Sequence, residues 1–124
     1  MESIKQIFRI GYGPSSSHTM GPVRASEMFL KRCPEAVRFV VTLYGSLAAT
    51  GRGHMTDVGI LRVLEPVGET QIIWRPEIEL PFHPNGMKFE GYSREGHLLD
   101  TFIVYSIGGG TLANEEFNEQ HIAE

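Results

Sequence analysis

A run of nine residues, Ala36–Tyr44, constrains the fold of this chain more than any other segment. It reads Ala-Val-Arg-Phe-Val-Val-Thr-Leu-Tyr. Side chains that are β-branched or aromatic are enriched in strands because they pack well on a pleated, half-buried surface. The run therefore predicts a central strand of a sheet.

The second half of the chain predicts further strands. We expect strands over residues 71–74 and 77–82, followed by a hairpin. Its arms are residues 87–92 and 97–106, joined by Ser93-Arg-Glu-Gly96, a short glycine-containing connection typical of antiparallel strands. This half of the chain is thus predicted to complete the sheet.

Helical segments lie before and after the central strand. A helix is predicted over residues 22–32, a short helical turn over 47–49, and a second helix over 58–64 that Thr56 or Asp57 caps. The pattern predicts an α+β fold, a two-layer sandwich of a mixed or antiparallel sheet with helices on one face.

Composition bounds the class of protein. The 124 residues suit a single domain, and no apolar run approaches the ~20 residues that cross a bilayer. The net charge is -4 with scattered Arg and Lys, so we expect neither nucleic acid nor a membrane as partner. The start lacks a signal-peptide pattern and the only cysteine is Cys33, so a cytoplasmic location is expected.

Residues 13–22 form the densest polar motif, Gly-Pro-Ser-Ser-Ser-His-Thr-Met-Gly-Pro. Proline is favoured at the first helical position, so Pro22 predicts a helix start there. The backbone N–H groups of a helix N-terminus attract anions. The motif therefore predicts a small-anion site, a carboxylate or a phosphate, although a serine run is also an ordinary helix cap.

Two further polar islands each contain a histidine, at residues 51–57 and 80–87. A serine hydrolase is not indicated, because the Gly-x-Ser-x-Gly elbow is missing. A zinc site formed by His18, His54 and His83 stays a minor alternative, because the spacing between zinc ligands such as His-x-x-x-His is missing.

Together, three segments strongly resemble the beta domain of the iron–sulfur-dependent L-serine dehydratases. They are the motif at 13–22, Tyr-Gly-Ser-Leu-Ala-x-Thr-Gly-x-Gly-His-x-Thr-Asp at 44–57, and His-Pro-Asn-Gly-Met at 83–87, and the likeness runs on to Ser-Ile-Gly-Gly-Gly at 106–110. The resemblance implies conversion of L-serine to pyruvate and ammonia by a [4Fe–4S] cluster. Such a cluster takes at least three cysteine thiolates and this chain has one, so a separate alpha subunit or domain is expected to hold it.

The resemblance also gives the polar residues roles. His54 is the first candidate for proton transfer and His83 the second, since imidazole titrates nearest neutral pH. Asn85 is expected to bind the amino or carboxylate group of serine. The carboxylate is assigned to the first motif, namely to Ser15, Ser16, Ser17, His18, Thr19 and Gly21.

A non-catalytic module that binds serine or another small carboxylate is the competing interpretation. Domains similar to this one also serve as effector-binding modules in some phosphoglycerate dehydrogenases. Residues 111–124 are expected to form a tail or linker towards the partner, and the composition leaves a homodimer open.

Overall fold

The computed structural model describes residues 16–51, 55–108 and 110–114, and the side chains of residues 20–50, 55–108 and 110–114. The described elements, in chain order, are α1 (Ser16–Arg32), β1 (Arg38–Tyr44), α2 (Gly45–Gly51), α3 (Thr56–Leu64), β2 (Glu69–Arg75), β3 (Gly86–Tyr92), β4 (Leu98–Gly108) and β5 (Thr111–Ala113).

The five strands form one mixed sheet in the order β2-β1-β3-β4-β5. β1 is parallel to β2 and antiparallel to β3, so Val41 lies between Ile72 and Phe89. A parallel neighbour needs a crossover, and α2 and α3 provide it between β1 and β2. The α+β prediction is confirmed, as are the predicted strand at residues 36–44 and the hairpin.

An aromatic cluster forms the centre of the core. The ring of Phe29, from α1, lies 6.2 Å from Phe39, 5.6 Å from Phe89 and 6.3 Å from Phe102, each on a different strand. All four side chains are buried, and α2 and α3 add apolar residues to the same cluster, namely Leu47, Ala48, Ile60 and Leu64. The helices therefore share one face of the sheet.

Two predicted helix starts are wrong. α1 begins at Ser16, so Pro22 lies inside the helix rather than at its first position. Pro22 has no N–H, and the carbonyl of residue 18 therefore loses its helical partner. At α3, the N-cap is Met55 in a left-handed conformation (φ 60°), so Thr56 and Asp57 are the first two helical residues rather than the cap.

Two strand predictions also differ from the structure. Residues 77–82 form no strand, because Pro76 and Pro81 lack the N–H groups that a ladder uses and Ile78 turns back to bond the Arg75 carbonyl. Residues 111–113, expected in a tail, form β5 beside Tyr105 and Ser106. No helix in the described residues is long and apolar enough to span a membrane.

Candidate functional site

The His-Pro-Asn loop is fixed to strand β4 at Ser106. The Ser106 backbone N–H donates to the Asn85 carbonyl at 3.0 Å, and the Asn85 side-chain amide donates to the Ser106 carbonyl at 3.2 Å. A carbonyl can only accept, so these bonds identify Nδ2 as the amide atom that faces Ser106. Oδ1 of Asn85 is consequently directed elsewhere.

His83 is oriented by a hydrogen bond from the same loop. The Asn85 backbone N–H donates to Nδ1 of His83 at 3.1 Å. Neutral imidazole carries one proton, so an accepting Nδ1 places that proton on Nε2. In this state the half-buried His83 offers a donor rather than a base.

The first motif contacts Ser106 from the opposite side. A Cβ atom built on Gly21 would overlap the Ser106 hydroxyl and lie 2.8 Å from Ser106 Cβ, so only glycine fits without a shift. Gly21 lies in the second turn of α1, and its N–H is therefore not at the helix N-terminus. Its contribution is the space that lets Ser106 approach the helix.

Two polar atoms at this contact have no hydrogen-bond partner among the described residues. They are Oδ1 of Asn85 and Oγ of Ser106, and both are buried. An unpaired buried polar atom costs roughly 1–3 kcal/mol, and most native structures avoid it. Oδ1 of Asn85 can only accept a hydrogen bond, whereas the Ser106 hydroxyl can both donate and accept.

The second motif supports the loop from the end of β1. Gly45 has a φ of 51°, and a Cβ there would lie 2.8 Å from the Pro84 carbonyl. That carbonyl accepts the Ser46 backbone N–H at 3.1 Å. Gly45 thus allows a close approach that joins α2 to the His-Pro-Asn loop. The described parts of all three motifs are therefore brought together.

Several predicted site residues lie where less is described. Ser15 and His54 fall outside the described residues. Ser16, Ser17, His18 and Thr19 form the first turn of α1, and only their backbone is described. The first N–H groups of a helix have no helical acceptor, and those of Ser16, Ser17 and His18 are among them here. The helix N-terminus thus lies at the serine motif itself.

Ser106 was not among the residues predicted for the site. It opens the Ser-Ile-Gly-Gly-Gly segment at which the family likeness ends. The same segment is tied to α1, because Arg24 donates to the Gly110 carbonyl at 2.7 Å. A serine beside a glycine-rich turn gives no local sign of burial, so only the pairing with Asn85 reveals it.

The described residues contain no group of three or more His, Cys, Asp or Glu side chains that could hold a metal ion. Cys33 is buried in the hydrophobic core. Burial raises the pKa of the Cys33 thiol, and the nearby Asp100 and Glu35 carboxylates raise it further. A protonated core thiol is a poor metal ligand.

Comparisons with known proteins agree with the motif likeness. A family model described as the serine dehydratase beta chain matches residues 3–66 and 62–117. The L-serine dehydratase of Mycobacterium tuberculosis (strain CDC 1551 / Oshkosh) is 37% identical, over 92% of this chain and 33% of that protein. L-serine dehydratase 1 of Escherichia coli (strain K12) is 32% identical, over 99% of this chain and 36% of that protein.

This chain thus spans about a third of the length of these relatives. The family match nevertheless covers most of the chain and contains all three motif segments. The chain belongs to the serine dehydratase beta chain family.

Proposed function

We propose that this chain is the beta half of an L-serine dehydratase, a lyase that converts L-serine to pyruvate and ammonia. The observation that carries the proposal is the pair of unpartnered buried atoms, Asn85 Oδ1 and Ser106 Oγ, where the motif segments meet. Buried polar groups without partners are costly, and their persistence at a motif contact supports a ligand that completes them.

The chemistry of the two atoms suits an amino acid. Oδ1 of Asn85 can only accept, so it suits the ammonium group of serine. The Ser106 hydroxyl can donate to the carboxylate, together with the backbone N–H groups of Ser16, Ser17 and His18 at the start of α1. Both atoms are shielded from bulk water. Hydrogen bonds to charged groups are stronger in such a low-dielectric environment than in water.

The two motif histidines are assigned different roles. Elimination requires a base for the α-proton of serine, and His54 is our candidate. His83 holds its proton on Nε2 while Nδ1 accepts from Asn85, so in this neutral state it can donate a hydrogen bond to the substrate but is a poor proton donor.

The iron–sulfur cluster implied by the resemblance does not fit this chain. The chain has one cysteine, and that thiol is buried in the core. We therefore assign the cluster to a cysteine-bearing alpha subunit or domain. This chain covers only 33% of the length of the Mycobacterium tuberculosis relative, which supports a second subunit or domain that holds the cluster. The polar groups described above are its contribution to the shared site.

Coexpression with an alpha-type partner from the same genome, under anaerobic conditions, tests the proposal through pyruvate formation from L-serine. We expect His54→Ala to lower kcat by about 10²–10⁴ with little change in KM. Asn85→Ala should instead mainly raise KM, by roughly 5- to 100-fold. Cluster content is measured in each variant, and Glu95→Ala, in the exposed turn between β3 and β4, is the control.

A non-catalytic module gives a different result. The isolated chain would then bind L-serine with no partner, and coexpression would yield an intact cluster protein that forms no pyruvate. That combination would refute the catalytic assignment.

A further inference from the structure

β2 lies at one edge of the described sheet. β2 ends the strand order, and no described strand pairs with its second edge. Ile72 and Trp74 lie beside the core residues Val41 and Leu43 but are only half-buried. Ile73, on the other face of the sheet, is also half-buried. β2 contains no proline, and its edge is not shortened or bulged, so three of the usual devices that prevent strand pairing are missing.

The relatives carry additional chain within the matched region. Their alignments span 155 and 163 positions, more than the 124 residues of this chain. The family match comes in two segments that meet at residues 62–66, where α3 ends just before β2. The two-segment family match therefore indicates that this chain lacks family residues just before β2.

Two side-chain bonds show which backbone groups of β2 point outward. The Thr70 N–H bonds the Glu65 carboxylate at 3.0 Å, and the Trp74 carbonyl accepts from Arg75 at 3.1 Å. Backbone groups alternate in direction along a strand, so those of Ile72 also face outward. The exposed side chains of Glu65 and Arg75 thus bond the two ends of this edge, at the positions that a neighbouring strand would take.

The sequence of β2 is self-complementary in charge. An antiparallel copy related by a two-fold axis at Ile72 places Glu69 opposite Arg75 of the second copy, and the reverse pair forms by symmetry. Ile72 meets Ile72, and Thr70 meets Trp74, on the core-facing side. Opposite charges at facing positions stabilise a strand pair, and like charges destabilise it.

We infer that β2 is a dimer interface, at which a second copy of this chain pairs antiparallel through Ile72 and joins the two sheets. The backbone groups of Thr70 and Trp74 then bond the second strand. The Arg75 side chain leaves the Trp74 carbonyl of its own chain and pairs with Glu69 of the other copy. The interface is independent of the dehydratase proposal, because it involves none of the motif residues.

Charge exchange tests this register. In sedimentation velocity over a concentration series, the chain should reach twice its 13.9 kDa mass. Glu69→Arg and Arg75→Glu should each raise the dimer dissociation constant by roughly tenfold or more, because symmetry counts each repulsion twice. The double variant should restore wild-type dimerisation. Glu77→Arg, an exposed residue outside the strand with the same charge change, is the control.

Three results would overturn the inference: a monomer at every concentration, a double variant no tighter than the single variants, or a control that weakens the dimer equally. Far-UV circular dichroism checks folding of each variant. Should Glu69→Arg not fold, Arg75→Glu and its rescue by the double variant test the same contact.

Discussion

The aromatic core and the contact between Gly21, Asn85 and Ser106 are built on opposite principles. Around Phe29, rings from three strands pack closely and bury no polar atom of their own. At the motif contact, two polar atoms are equally buried but have no partners. The core is organised for stability, whereas the motif contact gives up stability, as sites that bind ligands often do.

The largest effect is expected in the core. Phe29→Ala removes a fully buried ring and leaves a cavity between Phe39, Phe89 and Phe102, so it should lower the free energy of unfolding by about 3–5 kcal/mol. Urea unfolding followed by the fluorescence of the single tryptophan, Trp74, measures it. A loss below about 1 kcal/mol would mean that the cluster is not the centre of the core.

An effect of opposite sign is expected at the motif contact. Ser106→Ala removes a buried hydroxyl that bonds nothing, so it should raise the free energy of unfolding by about 1 kcal/mol. In the two-part enzyme proposed above, the same change should weaken L-serine binding, seen as a higher KM.

Ser26 provides the matched control for Ser106. It is equally buried, but its hydroxyl donates to the Pro22 carbonyl at 2.8 Å. Ser26→Ala loses that bond, a cost of up to about 1 kcal/mol that alanine's helix propensity partly offsets. If Ser106→Ala is the more destabilising of the two, its hydroxyl is structural and the contrast with the core fails.

The smallest effect concerns a surface ion pair that joins the end of α1 to β4. Arg32 donates to Asp100 at 2.7 Å, and this bond, aided by the Thr101 N–H, lowers the pKa of the Asp100 carboxyl. Because the pKa is lower in the folded state, the ion pair stabilises the fold at pH values above the ordinary pKa of 3.8. This stabilisation is lost as the pH falls through the lower pKa of the folded state. Both side chains are partly exposed, so the gain is below about 1 kcal/mol.

Unfolding of Asp100→Asn at several pH values measures this contribution. The variant should be slightly less stable than the wild type at neutral pH and equal to it at the lowest pH, with Glu95→Gln in the hairpin turn as control. A difference that grows as pH falls would contradict the lowered pKa.

The motif contact was only partly predictable. The three histidine-bearing segments were evident from their residue types, and Asn85 was identified because an amide both donates and accepts. Ser106 was missed because burial of a hydroxyl depends on which elements pack against it. The start of α1 was misplaced because Pro22 resembles a first helical residue, and nothing local indicates that the helix begins six residues earlier.

The sequence by itself determined the elements whose signal is local. β-branched and aromatic residues at 36–44 specify β1, and the glycine-containing turn specifies the hairpin of β3 and β4. Only the tertiary structure decided that β2 pairs in parallel with β1, that residues 77–82 form no strand, and that Gly21, Asn85 and Ser106 meet. Those outcomes depend on contacts between residues far apart in the chain, whose energies no local pattern contains.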